Sequence, residues 1–539
     1  MKIHWIVLIA VLALAGVGCN TAQTQTPGAS NTPKLGGTLN IRETAYFTNL
    51  DPTQALRGEA SLIATRVMEP IVRFKMGPGV GYDESILEPA LAERWEVSPD
   101  GKSFTFTIRK GVKFHNLPPL NGREVTAEDV KWSFEYISRT GQFANVKFTK
   151  TNQIAFQFEG VDKIEAPNPS TAIVRFKEPF APFMNYAGSK DMYTTAKELY
   201  DTGIINDKPM GAGPFMVDTS EWQSGSVMVF KKNPTYWQTG KPYVDQVRQI
   251  VIADEASAKA AFQTRQVDIY GESDNVRDAE ELQKLVPNAM VSTYMGHNAL
   301  RVYYNVKIPP FNDVKFRKAM SFATDREEFV KNSTGGKGRW GMDGGLPYMF
   351  TEAEVKQLAP YDPEQAKKLL AEIGYDKKPI TIELLYTTAY GEQLLQDMQL
   401  MQSQWRKVGI PITIITMDRT DLSNKRRDGN YMMAPTGAGG GEAEPDFYAW
   451  FYFHPKSGAN YYQVNDPKLT DFADGQRREI NPEKRLQVLR EEAKYIHDQG
   501  YALWPYNSPF FTFWHPYVRD FAPHRSRGVA PAADVWVDK

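Results

Sequence analysis

At 539 residues, with 42% hydrophobic and 24% charged side chains, the chain is too long for one core and reads as an ordinary globular protein of two or three lobes. A net charge of −1 excludes a global electrostatic pull toward nucleic acid or acidic membranes, and a single cysteine, Cys19, excludes an intramolecular disulfide. The seven histidines form no H-E-x-x-H or other close ligand pair, so no metal site is expected.

Residues 1–18 start with Lys2 and continue in a nearly unbroken apolar run over residues 3–17. That run is short for a bilayer span and has the length of a signal h-region. Gly16 and Gly18 flank Val17 just before Cys19. This arrangement resembles a bacterial lipoprotein signal, with Gly16 standing where Leu is usual, and it implies cleavage before Cys19 and lipid attachment to it. Plain secretory cleavage is the alternative. Residues 19–33 are rich in Thr, Gln, Ser, Ala and Pro and carry no charge until Lys34, the composition of a flexible tether.

Residues 36–41, G-G-T-L-N-I, predict a strand, and Leu50-Asp51-Pro52 a turn. Leu62, Thr65, Arg66 and Glu69 predict a helix over 61–72 that ends near Pro70. After the turn Pro99-Asp100-Gly101, the alternation of Phe104, Phe106 and Ile108 with Thr105, Thr107 and Arg109 predicts a half-buried strand. Thr126 as N-cap, with Asp129 three residues on, opens a helix whose buried face carries Val130, Phe134 and Ile137. Residues 256–270 read as helix then strand. Further on, Asp362-Pro363 starts a helix that Gly374 stops, 380–386 is a strand, and Leu394, Met398, Met401 and Trp405 mark a helix before Gly409. A strand over 412–417, a helix from Asn481 to Gly500 and a strand over 501–506 follow, and this alternation argues for a layered α/β lobe.

Residues 436–454, T-G-A-G-G-G-E-A-E-P-D-F-Y-A-W-F-Y-F-H, combine glycines for close backbone approach, the acids Glu442, Glu444 and Asp446, and six aromatics. Those three properties together suit a small-molecule site, and a Gly-rich loop leading into a buried element is the alternative.

P-A-L-A-E-R-W-E-V-S-P-D-G at 89–101, R-K-G-V-K-F-H at 109–115 and T-A-E-D-V at 126–130 resemble the extracellular solute-binding proteins of the oligopeptide, dipeptide and nickel type (bacterial family 5), receptors of ABC importers. G-A-G-P-F at 211–215, N-P-T-Y-W at 233–237 and the Tyr304-Asn305 to Val314 segment continue the resemblance, while the insert at 116–123 departs from it. The resemblance implies an α/β, two-lobed periplasmic-binding-protein type II fold with an extra subdomain. Residues 34–66, 207–299 and 500–539 would form lobe I, 67–206 the extra subdomain and 300–499 lobe II. It further implies capture of a small polar solute or peptide between the lobes and delivery to permease subunits with their ATPase. The protein would be a lipid-anchored monomer in the periplasm or on the outer face of the cytoplasmic membrane. No catalytic residue, cofactor or nucleic-acid partner is implied.

Peptide-binding members hold the ligand's α-amino group with an acid four residues before the proline that corresponds to Pro445. Here that position is Gly441, with Glu442 beside it. Other candidate ligand contacts are Tyr46, Trp222, Tyr304, Arg339, Trp340, Tyr448 and Trp450, while Asn305 reads as a support for the inter-lobe crossing. No G-x-S-x-G elbow is present, and Gly335–Gly338 lacks the residues of a phosphate loop. The basic runs Lys425-Arg426-Arg427 and His524-Arg525-Ser526-Arg527 read as solvated faces. Two other classes remain open at this point. One is a secreted glycoside hydrolase that pairs Glu442 with Glu444 or Asp446. The other is a chaperone-like binder of unfolded segments.

Overall fold

The computed structural model describes residues 32–45, 50–51, 59–148, 154–437, 444–525 and 533–539, with the side chains of residues 59–62 and 298 left aside. The largest sheet runs Phe215–Val217, Val227–Lys232, Gln246–Val251, Thr38–Glu43, Ile269–Ser273, Tyr506–Trp514, Met290–Ala299. Arg339–Trp340 pairs with the Tyr506 end. Thr38–Glu43 lies parallel to Gln246–Val251 and Ile269–Ser273. Leu39 and Ile41 are fully buried, and with Val247, Ile269 and Trp514 they form the first-lobe core.

A second sheet runs Arg301–Tyr304, Met433–Thr436, Ile382–Tyr386, Ile412–Thr416. Its last three strands are parallel and the first is antiparallel to them. Helices Pro363–Glu372, Gly391–Arg406 and Pro482–Gln499 cover it, the first and last with Pro at the first turn behind side-chain caps from Asp362 and Asn481. A third, four-stranded antiparallel sheet, within residues 67–206, runs Ala92–Val97, Ser103–Ile108, Thr171–Phe176, Val161–Asn168. Phe104, Phe106 and Ile108 turn inward as their alternation predicts. They pack under helix Ala127–Ser138, where Asp129 accepts the Thr126 backbone N–H at 2.9 Å.

Two predicted elements are corrected. The helix expected over 61–72 spans Glu59–Val67 and gives way to a short strand, Glu69–Pro70, because proline offers no N–H to continue it. The strand expected over 501–506 lies instead at Tyr506–Trp514, buried at all nine positions. A strand covered on both faces shows no alternation, and Pro509 within it reads as a breaker. Its partner strand is irregular between Met295 and Ala299 beside that proline.

The topology fixes where a cleft must lie. Met290–Ala299 runs in the same direction as Ile269–Ser273, since both are antiparallel to Tyr506–Trp514. The chain then enters the second sheet at Arg301, two residues after Ala299. Because Arg301–Tyr304 is antiparallel to its sheet, it enters at the edge where Tyr386, Thr416 and Thr436 end. The C-terminal edges of the two sets of parallel strands therefore face each other, the place where open α/β sheets hold ligands. Among the described residues no helix is long and apolar enough to cross a membrane.

Candidate functional site: the cleft between the two sheets

Tyr348 marks the cleft. It is 48% exposed, yet its neighbours along 341–350 are all buried. Burial nevertheless pushes its hydroxyl well up, with Arg525, Glu444, Tyr448 and Arg485 in electrostatic reach. The groups that act on it come from both lobes, Arg525 from the C-terminal tail and Glu444, Tyr448 and Arg485 from the second, so the side chain lies between them. Its ring packs edge-on against His297, centroids 5.6 Å apart. The buried His297 places Nε2 2.5 Å from Asp83 Oδ1. Burial works against the Asp83 carboxylate, but the His297 hydrogen bond and charge, aided by Arg525, hold it below the usual range. Arg525 reaches Ser85 and receives no solvated role: it is 7% exposed. The basic run that suggested a free face thus contributes to the cleft, although Ser526 and Arg527 lie outside the described residues.

The first sheet supplies Glu43 at the end of Thr38–Glu43, Glu272 within Ile269–Ser273, and Asp274 just beyond. Burial raises all three carboxyls above their ordinary range, and Glu272 adds to the rise at Glu43. Across the cleft, burial likewise raises Asp397, which accepts hydrogen bonds from Ser333 and Tyr506 at 2.5 and 2.7 Å. Sequence reasoning missed Tyr348, Asp83, His297, Arg525 and Glu272. The aromatic inside G-G-L-P-Y at 344–348 was the one visible signal, because a Gly-Pro loop exposes what it carries.

The acids and aromatics of 444–453 have a different task. Helix Asp446–Phe453 is buried at every position. Asp446, at 0% exposure, is held by both arms of Arg477, Nε to Oδ1 and Nη2 to Oδ2 at 2.7 Å each. Tyr186 of the extra subdomain donates to its Oδ2 at 2.6 Å. Burial opposes the Asp446 charge, and Arg477 more than offsets it, leaving the carboxyl low. Glu444 pairs with Arg485 and accepts from Asn185 Nδ2 at 2.6 Å. Trp450 stacks on Phe156 of the subdomain at 5.8 Å and on His454 at 4.6 Å, with the Arg477 guanidinium 4.0 Å from its ring. Tyr448 is buried against Phe447 and Trp504.

The remaining predicted contacts are dispersed. Tyr304 is core, stacked on Phe311 and donating to the Gly500 carbonyl at 2.6 Å. Asn305 is a support, its Nδ2 bound to the Gly429 carbonyl at 2.8 Å. Arg339 donates to the Phe350 carbonyl, and Trp340 donates to Glu327 at 2.9 Å beneath Lys356. Trp222 is half-buried against Phe230, near the edge of the first sheet. Tyr46, Gly441, Glu442 and Cys19 lie outside the described residues. In the other basic run, Arg426 is no solvated charge: it lies between the rings of Tyr303 and Tyr461, 5.2 and 4.7 Å away. A depression of about 270 Å³ lined by Met76, Pro78, Tyr243, Asp520 and Val535 shares no residue with the cleft. Among the described residues no group of three or more His, Cys, Asp or Glu is arranged to hold a metal.

A profile of the bacterial extracellular solute-binding proteins, family 5 (middle region) matches residues 87–460. The chain belongs to this family. It is 28% identical over 454 residues to the dipeptide-binding protein of Escherichia coli strain K12, covering 80% of this chain and 82% of that one. The DppA binding protein of Helicobacter pylori, solved with the peptide STSA, superposes with a TM-score of 0.79 at 23% identity, covering 94% of this chain and 99% of that one. The AgaA binding protein of A. tumefaciens R10, solved with agropinic acid, does so at 0.78 and 22%, covering 93% and 99%. The fold is therefore the α/β, two-lobed type II architecture of periplasmic binding proteins, and members of this family bind solutes outside the cytoplasm.

Proposed function

We propose that the chain is the solute-capturing receptor of an ABC importer, taking a small polar, peptide-like ligand into the cleft and presenting the closed form to permease subunits and their ATPase. The observation that carries this is Tyr348, half exposed and set between His297 and Arg525 on one side and Glu444, Tyr448 and Arg485 on the other, where two C-terminal strand edges face each other. The relatives named for dipeptides, or solved with a peptide, support a peptide-like ligand. Gly441 stands where the resemblance would put the acid for a peptide's amine, so that group is held from elsewhere. Ligand binding closes such a receptor through contacts that differ between open and closed states, and no bond is made or broken. The hydrolase alternative loses both candidate partners for Glu442. Glu444 and Asp446 are bound to Arg485 and Arg477 and shut off from solvent.

Residues 1–18 act as the signal, Cys19 carries the lipid and 19–33 are the tether. Residues 34–66, 207–299 and 500–539 form lobe I, 67–206 its extra subdomain, and 300–499 lobe II with Arg339–Trp340 reaching back to the first sheet. Native and then denaturing mass spectrometry of the purified protein tests the receptor reading: one polar solute per chain is expected. Saturable turnover of an oligosaccharide would overturn it. Cys19→Ser should move the protein from the membrane to the soluble fraction. A mutant still retained by membranes would sink the lipid anchor alone.

A further inference from the structure

The first-lobe wall of the cleft holds several buried polar oxygens that make no hydrogen bond of normal geometry. Glu272 Oε1 is buried without a hydrogen-bond partner. Thr512, fully buried and directly opposite Glu272 in the strand pair, has an Oγ1 with no partner. The Tyr294 hydroxyl is close to both and favours the Glu272 carboxylate, but it makes no hydrogen bond of normal geometry to either. Gln249, also fully buried, gives its amide N–H to Glu43 and leaves Oε1 unpaired. Asp274 follows Glu272 by two residues and adds to the rise in its pKa. Among the described residues, Lys190 is a cation that acts on Glu272 and lowers its pKa.

Buried acceptors without donors are costly, and a buried carboxylate is tolerated when a cation meets it. We propose that Glu272, flanked by Asp274, receives a cationic group of the bound solute, an amine or guanidinium, at the first-lobe wall of the cleft. The inference rests on the receptor reading and deepens it. The wall's unpaired atoms are those a multi-donor cation fits: one carboxylate for charge, with hydroxyl and amide oxygens for the remaining N–H groups. An anionic ligand group would meet Glu43, Glu272 and Asp274 at this wall and be repelled.

Calorimetry on the full chain, freed of co-purified solute by urea unfolding and refolding, tests this with four probes. These are trialanine, its N-acetylated form, Ala-Lys-Ala and Ala-norleucine-Ala. Removing a positive charge, by acetylation or by Lys to norleucine, should weaken wild-type binding at least tenfold in one of the two pairs. Glu272→Gln should bring that ratio to within about threefold, while affinity for the member of that pair that lacks the removed positive charge changes less than threefold. Asp274→Asn, a second variant, should reduce the ratio less, and it serves should the Gln variant not refold. Tight binding with no charge preference, or a preference untouched by either variant, overturns the proposal alone. Binding of none of the four peptides overturns the peptide-receptor reading and this proposal with it.

Discussion

Glu492 is the residue on which a local physical argument can be made most sharply. It is 1% exposed on helix Pro482–Gln499, and neither carboxyl oxygen has a partner. Burial pushes its pKa well above the ordinary range; Asp446 and Asp474 add to the rise and Arg477 opposes it. The sign follows from proton binding. In the unfolded chain the carboxyl ionises near pH 4.3, while in the fold it stays protonated to much higher pH. Folding therefore takes up a proton between those limits, and stability declines as pH rises through that window. Glu492→Leu removes the group and its unsatisfied oxygens. In urea unfolding it should gain at least about 1.4 kcal/mol more at pH 8 than at pH 4.5, the equivalent of one pKa unit. The same gain at both pH values would show that Glu492 does not titrate across folding. The buried Asp446–Arg477 pair beside it was only half legible. The sequence shows the acid but not the arginine 31 positions away that closes on it.

At the scale of elements, the features that could be read were those with local causes. The capped helix at Thr126, the alternating strand at Phe104–Ile108 and the Pro-initiated helices all appear where their residues predict, because caps, period and proline act within a few positions. The strand Tyr506–Trp514 was hidden because burial on both faces erases periodicity. The assignment of helix Asp446–Phe453 to a ligand surface came from its composition, which is the same for a cleft wall and for the inside of an interface. The motif G-A-G-P-F also has a structural cause. A Cβ on Gly213 would lie 2.6 Å from the Val67 carbonyl carbon and 2.7 Å from the Arg66 oxygen, both backbone, and Gly213 N–H donates to the Val67 carbonyl. His115, buried beside it, brings Nε2 to the Gly213 carbonyl, and burial drives its pKa down to about 4. Gly213→Ala should cost about 1–3 kcal/mol, as overpacking against an unyielding neighbour does. Gly240→Ala, with open space around the position but a positive φ of 83°, should cost about 1 kcal/mol from backbone strain alone. Thermal unfolding of the two side by side checks the order. An equal loss would mean the crossing at Val67 can shift to admit a methyl group.

For the whole molecule, the second lobe is joined to the segment that carries the four-stranded antiparallel sheet by polar and aromatic contacts. Tyr186 and Asn185 donate to Asp446 and Glu444, Ala181 N–H donates to the Arg477 carbonyl at 2.8 Å, and Phe156 joins the rings of Phe447, Trp450 and Phe451. One apolar cluster runs through both parts. These contacts touch no ligand, yet if they form only on closure they set the fraction of molecules competent to hold one, and apparent affinity scales with that fraction. Tyr186→Phe removes one hydrogen bond to a charged group, a loss of about 1.5–3 kcal/mol. Asp446 keeps both arms of Arg477, so the helix itself should remain in place. The variant should therefore bind the co-purified solute about tenfold or more weakly, since each 1.4 kcal/mol is a factor of ten. The loss should appear mainly as faster release. Small-angle scattering should show a larger radius of gyration for the variant than for wild type at equal subsaturating ligand. Unchanged affinity together with lowered thermal stability would mean that Tyr186 braces a permanent joint, and that the lobes open by bending elsewhere.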